Sequence, residues 1–95
     1  KRARELRNLG INVNLAPVAD LAKRTDFIYQ RTFQKNISES GKLAKSIIMG
    51  QKQGGIFSCL KHFPGYGNIL FNPEKKIAVL SKMPQISQFL KAGEA

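Results

Sequence analysis

The sequence predicts an α/β fold with elements in the order α-β-α-β, and three observations carry that assignment. Two apolar-rich stretches near residues 11–17 and 56–62 have the length and composition of strands, a helical stripe lies between them, and glycines stand where each helix must end. Strand, loop, helix and strand in that order form a βαβ unit, whose two strands run parallel and open their ends to the same side. If the parent fold is a (β/α)8 barrel, whose eight units occupy roughly 250 residues, this length supplies about a quarter of it.

Residues 1–9 are helix formers with Leu6 and Leu9 three apart, and Gly10 stands at the left-handed position that terminates a helix. The opening Lys1-Arg2-Ala3-Arg4 has no initiator Met and no capping residue, so the first segment reads as the tail of a helix within a longer chain. Ile11, Val13 and Leu15 then alternate with Asn12 and Asn14, which is strand periodicity, and Pro17 is expected to close the ladder. Inside a barrel both asparagines would need partners; on a half-exposed edge strand they would not. Residues 21–36 show no period and read as a loop. Asn36-Ile37-Ser38-Glu39 has the form of a capping box, and a helix follows to about Gln53, with Leu43, Ala44, Ile47 and Ile48 expected to form one buried stripe. Gly54-Gly55 stops it. Gly55 to Leu60 is a short apolar run, and Lys61-His62 close it before the turn Pro64-Gly65-Tyr66-Gly67. Beyond that turn, Asn68 to Lys76 read as an exposed loop whose apolar middle, Ile69, Leu70 and Phe71, either closes over a cleft or packs beneath the loop, with packing the expectation. Ile77, Ala78, Val79 and Leu80 read as a short buried run, and Ile86, Phe89 and Leu90 after Pro84 suggest one more helix.

A net charge of +10 raises the question of nucleic acid. The sixteen Lys and Arg residues are spread from Lys1 to Lys91, however, without interleaved aromatics, zinc-ligand spacing or a helix-turn-helix pattern, so a basic solvated surface is the expected account of them and a nucleic-acid partner is not expected. Cys59 is the only cysteine, which excludes an internal disulfide and is compatible with a reducing, cytoplasmic setting. Within an apolar run it is expected to be a small core residue. No run approaches the ~18 apolar residues of a membrane span, so no membrane partner is expected, and nothing in the pattern calls for a cofactor.

The chemistry-bearing residues fall at strand ends. Asp20 follows the first strand, either as a turn carboxylate or as part of a pocket. Arg31 lies between Tyr29 and Phe33, whose rings could pin a planar multi-donor group suited to neighbouring hydroxyls. Lys61 and His62 leave the second strand. In a βαβ unit Asp20, Arg31, Lys61 and His62 would gather at one rim, the active-site face of a barrel.

Lys61-His62-Phe63-Pro64-Gly65-Tyr66-Gly67 resembles the KHFPGHG signature of glycoside hydrolase family 3, in particular its β-N-acetylhexosaminidase branch. Leu9 to Asp20 is similar to that family's LGINxNFAPVxD strand, and Arg31-Thr32-Phe33 to its R-S-F loop. The resemblance covers about residues 4–80 and implies that residues 1–95 are part of an N-terminal barrel domain acting on saccharides that contain N-acetylglucosamine. It implies sugar binding for Lys61, His62 and Arg31, and a supporting place for Asp20. The family's Asp-x-His pair, whose His is the acid/base, falls here on Asn72 and Glu74. Asn72 can orient a neighbour but supplies no charge, and Glu74 stands beside Lys75 and Lys76, which favour its ionised form. The nucleophilic Asp of the family lies downstream of residue 95. The chain alone is therefore expected to be inactive, needing remaining barrel segments or another chain for a complete fold. A non-catalytic carbohydrate-binding module, or a decayed remnant, is the alternative, and a basic nucleic-acid-binding domain is a third.

Overall fold

The computed structural model describes all of residues 1–95. The elements are α1 (Arg2–Asn8), β1 (Val13–Asn14), a 3-10 turn (Tyr29–Arg31), α2 (Ile37–Gln53), β2 (Phe57–Ser58) and α3 (Ser87–Ala92). The α-β-α-β order is thus observed, followed by a short third helix. β1 and β2 pair in parallel, with Val13 opposite Phe57 and Asn14 opposite Ser58.

Both helix-to-strand connections use the same device. At the end of α2, the Ile56 N–H bonds to the Gln51 carbonyl and the Gly55 N–H to the Lys52 carbonyl, with Gly55 at φ +79°. At the end of α1, the Ile11 N–H bonds to Leu6 and the Gly10 N–H to Arg7, with Gly10 at φ +86°. This pairing satisfies carbonyls that the helix leaves open, and glycine occupies the left-handed position without a Cβ penalty. Each helix therefore stops where the sequence predicts. At the other end of α2, Asn36 Oδ1 accepts from the Glu39 N–H at 2.8 Å, which caps the helix. The capping box is half made: the Glu39 carboxylate forms no return bond.

The ladder continues past Pro17, contrary to the expectation that it ends there. The Phe57 N–H bonds to the Asn12 carbonyl, Cys59 to Asn14 and Lys61 to Pro17, and the Ala19 N–H bonds back to the Lys61 carbonyl. A proline carbonyl still accepts, so the missing N–H removes only one rung. From Cys59 to Lys61 the chain advances two residues, whereas from Asn14 to Pro17 it advances three. The first strand therefore carries an extra residue near Leu15-Ala16, a β-bulge, and the Ala16 N–H folds back onto the Asn14 carbonyl at 2.8 Å. The bulge changes which residues face the helices. Leu15 is exposed before it, while Ala19, also odd-numbered, is fully buried in the helix-side core after it.

That core is small: Ala19, Ala44, Phe89 and Ala92, with Phe33, Ile48, Leu60 and Ile86 packed around them. Ala44 on α2 and Ala92 on α3 let the two helices approach closely, and the molecule is only 19 Å thick along its shortest axis, the depth of one helix layer on one sheet. The opposite sheet face has no cover. Val13, Leu15 and Phe57 are exposed there, Phe57 by 74%. Cys59 lies on the same pleat as Phe57 and is exposed, not a core residue as its apolar neighbours suggest. Leu43 and Ile47 are also partly exposed, because α3 covers only the side of α2 that bears Gly41, Ala44 and Ile48. Asn12 is exposed and Asn14 half-buried, as on an edge strand. The segment Ile77–Leu80 is not a buried run: Ile77 and Val79 are each 87% exposed, since no neighbouring strand is there to receive them. Within the preceding loop Ile69 is buried, whereas Leu70 points to solvent. The last helix forms as predicted and buries Phe89, with Leu90 left outside.

Candidate functional site

Past the bulge, the last rungs of the ladder deliver two residues to adjacent positions at the strand ends. Val18 bridges to Lys61, and the next residues, Ala19-Asp20 and His62, leave the sheet together. Asp20 is 1% exposed, an uncommon place for a carboxylate unless its oxygens are satisfied. They are. Oδ2 accepts from the His62 N–H at 3.0 Å and lies 2.8 Å from His62 Nδ1, while Oδ1 accepts from the Tyr66 N–H at 2.6 Å. One carboxylate thus anchors both ends of the turn His62-Phe63-Pro64-Gly65-Tyr66 from a strand 42 residues away in sequence.

This arrangement orients His62. An ionised carboxylate has no hydrogen to donate, so Nδ1 carries the proton and Nε2 is left as the free ring nitrogen. The Tyr66 ring stacks on the imidazole with centroids 4.6 Å apart and planes within 12°, fixing the remaining rotation. Phe63, next in the turn, meets Phe89 of α3 edge to face at 5.5 Å, which ties the turn to the helix layer. Lys61 is half-buried; its backbone completes the ladder and its ammonium has no ion-pair partner.

A second buried carboxylate holds the neighbouring loop. Asp26 Oδ2 accepts from the Lys23 N–H at 2.7 Å and from the Asn68 N–H at 3.0 Å, and the Phe27 N–H bonds to the Ile69 carbonyl at 2.8 Å. The loop after β1 and the loop after β2 are therefore laced together. Arg31 sits on the laced loop, at the end of the 3-10 turn, where its N–H bonds to the Ile28 carbonyl. Its guanidinium is exposed and contacts neither an acid nor an aromatic ring; the one cation over a ring is Lys76, 4.6 Å from the Phe71 centroid. The structure joins Asp20 and His62 directly, places Lys61 one residue away, and leaves Arg31 reaching into solvent.

Asn72 and Glu74 share no hydrogen bond or ion pair with this knot. Asn72 Oδ1 accepts from the Glu74 N–H at 3.0 Å, so its side chain closes a local turn. The Glu74 side chain is exposed and has no hydrogen-bond or ion-pair partner.

Sequence reasoning missed the grip of Asp26 on Asn68 and the stack of Tyr66 on His62. The first had a partial signal in Lys23-Arg24-Thr25-Asp26, a turn in which the Asp26 N–H also bonds to the Lys23 carbonyl. Its long-range half has no local signature. No group of three His, Cys, Asp or Glu side chains converges in metal-binding geometry, and no helix is long and apolar enough to cross a membrane.

Comparison with known proteins places these features in a family. Residues 1–88 match the family described as Glycosyl hydrolase family 3 N terminal domain. A beta-hexosaminidase of Idiomarina loihiensis is 40% identical over 67 residues, covering 70% of this chain and 20% of that protein. One from Xylella fastidiosa is 34% identical over 77 residues, 81% of this chain and 23% of that one. A crystal structure of a glycosyl hydrolase of the GH3 family from Mycobacterium smegmatis superposes with a TM-score of 0.63 at 34% identity, over 70% of this chain and 21% of that one. The chain spans about a fifth of the length of these relatives. With its α/β core, its tethered Lys61-His62 turn and a match over nearly its whole length, the chain belongs to the glycosyl hydrolase family 3 N-terminal domain family.

Proposed function

We propose that the chain is the saccharide-holding part of a β-N-acetylhexosaminidase whose parent protein removes terminal N-acetylglucosamine from peptidoglycan-derived saccharides, and that these 95 residues bind sugar without turning it over. The observation that carries this reading is the Asp20 carboxylate gripping the His62 backbone, the His62 ring and Tyr66 at once. Such a tether pre-organises a donor-acceptor array at a strand end, the kind of rigid support that a binding group needs.

In this reading His62 Nε2 and the Lys61 ammonium meet sugar hydroxyls, and Arg31 reaches from the laced loop to a further hydroxyl or the acetamido carbonyl. Asp20 acts through His62 and does not touch the sugar. The uncovered apolar face of Val13, Leu15 and Phe57 is read as barrel interior, where alternate strands contribute bulky side chains; the chain is then a partial (β/α)8 barrel that further strands complete.

Retaining hydrolysis requires a nucleophilic carboxylate about 5–5.5 Å from an acid/base. Glu74 and Asn72 stand at the family's acid/base and orienting positions, but Glu74 is exposed and Asn72 is committed to its own loop. Proton donation to the leaving oxygen is therefore not assigned to Glu74 in this chain. The test is a titration with N-acetylglucosamine followed by backbone amide NMR, alongside an assay with an aryl N-acetylglucosaminide. Saturable shifts at residues 61–66, abolished in Lys61→Ala and His62→Ala, with no hydrolysis, are expected. Hydrolysis lost in Glu74→Gln, or no binding at all, overturns the reading.

A further inference from the structure

His62 is the only histidine in the chain, and the carboxylate that grips its ring does so at one atom. Asp20 Oδ2 meets Nδ1 at 2.8 Å. That contact selects which nitrogen faces the acid and which tautomer the ring adopts. It constrains the tilt of the ring only loosely, because a hydrogen bond to a carboxylate oxygen tolerates a broad range of approach. A tilt carries Nε2 away from the place where a ligand meets it.

The face of Tyr66 supplies the missing constraint. Its ring lies within 12° of parallel to the imidazole with centroids 4.6 Å apart, so any tilt of His62 must open or crowd the stack. Tyr66 is itself pinned through its backbone. Its N–H donates to Asp20 Oδ1 at 2.6 Å. Gly65 precedes it at φ +128°, and Gly67 follows it so close to the Leu21 carbonyl that no Cβ fits there. One carboxylate therefore fixes both the edge of the imidazole and the backbone that carries the ring stacked on its face. The Tyr66 hydroxyl forms no hydrogen bond within the chain and adds nothing to this support. Tyr66 stands where the family signature has a histidine, so the position keeps a flat ring although the imidazole is gone.

We infer that Tyr66 is a positioning residue for the sugar site: the face of its ring, and not its hydroxyl, keeps His62 in the plane in which Nδ1 bonds Asp20 and Nε2 stays free for a sugar hydroxyl. The inference rests on the sugar-holding reading only for what Nε2 meets. The locking of the imidazole is measured without any ligand.

The test compares Tyr66→Phe, which keeps the face and removes the hydroxyl, with Tyr66→Leu, which keeps apolar bulk and removes the face. Both leave the residue 66 N–H in place, and its protection from exchange reports that the turn still closes on Asp20. In the parent chain and in Tyr66→Phe, the Nδ1–H of the single histidine is expected to give one sharp, slowly exchanging NMR signal at neutral pH. In Tyr66→Leu that signal is expected to broaden or vanish by exchange with water while the residue 66 amide stays protected. Affinity for N-acetylglucosamine is expected to match the parent in Tyr66→Phe and to fall roughly two- to tenfold in Tyr66→Leu, the fold-change that loss of one aromatic pair gives. Equal Nδ1–H signals in all three chains would overturn the inference, as would a loss in Tyr66→Phe as large as that in Tyr66→Leu, or an affinity that Tyr66→Leu leaves unchanged. A Tyr66→Leu chain whose residue 66 amide loses protection assigns the ring to closing the turn and not to seating the imidazole, which overturns it as well. If the parent chain binds no N-acetylglucosamine, the sugar-holding reading fails, and the Nδ1–H comparison still decides whether the Tyr66 face locks His62.

Discussion

The turn at Lys61–Tyr66 and the loop at Asn72–Glu74 lie within a few residues of each other in sequence, yet they are held in opposite ways. The first is gripped from a distance by a buried carboxylate with three donors. The second is closed by one Asx turn of its own, and its glutamate faces water. Both contain residue types suited to sugar chemistry. What separates them is support from elsewhere in the fold, and a side chain without such support cannot hold a reacting atom to the tolerance that catalysis demands. The family's motif is kept in the supported turn except at Tyr66, which stands where the signature has a histidine, and both positions of its Asp-x-His pair are altered in the unsupported loop.

The sharpest way to break this contrast is Asp20→Ala. It strands the His62 and Tyr66 N–H groups in a partly buried setting, at about 1–3 kcal/mol for each unsatisfied donor. For a domain whose core holds so few residues, the total of roughly 3–5 kcal/mol is a large share of its stability. Urea unfolding should show it as a fall in midpoint at unchanged slope. If the midpoint hardly moves, the carboxylate is not the anchor described here.

Gly67→Ala tests the same region through shape. A Cβ at that position would run into the Leu21 carbonyl oxygen, a backbone atom that cannot rotate away. The loops after β1 and β2 must separate to admit it, at roughly 1–3 kcal/mol. Amide exchange at Tyr66 and Asn68 should accelerate together. On the unsupported side, Asn72→Ala removes a single exposed Asx bond and is expected to cost under about 1 kcal/mol. Glu74→Gln removes no contact and should leave the unfolding midpoint within error.

Much of this architecture was legible in the residues. The helix ends at Gly10 and Gly54-Gly55, the Asn36 cap and the parallel order of strands follow from local chemistry, because each depends on neighbours within five residues or on chain direction alone. The Asp20–His62 pair was legible only as proximity at two strand ends. Its actual geometry depends on the bulge near Leu15-Ala16, which shifts the register by one residue and has no sequence signature beyond a nearby proline. Burial was read least well. Cys59, Leu43, Ile47 and the run Ile77–Leu80 have core composition, but composition describes what a residue would bury against if something were there. In this chain one sheet face and one side of α2 have no opposite layer.

A third carboxylate refines the contrast, because it has charged partners but no burial. Glu94 lies 3.0 Å from Lys91 and 3.1 Å from Lys45, linking the end of α3 to α2. The hydrogen bond from Lys91 and then that from Lys45 hold its carboxyl below the ordinary glutamate range, so the folded state favours the ionised form. The associated stability is present above that range and is lost as pH falls through the lowered value. Solvent surrounds the group, and screening keeps the contribution small. Glu94→Gln should therefore lower the midpoint only slightly at neutral pH in low salt. The gap to the parent chain should close both in molar salt and below the carboxylate range. If it instead persisted at high salt and approached the loss in Asp20→Ala, partner number alone would decide stability, and the burial that sets Asp20 apart from the other two carboxylates would be irrelevant.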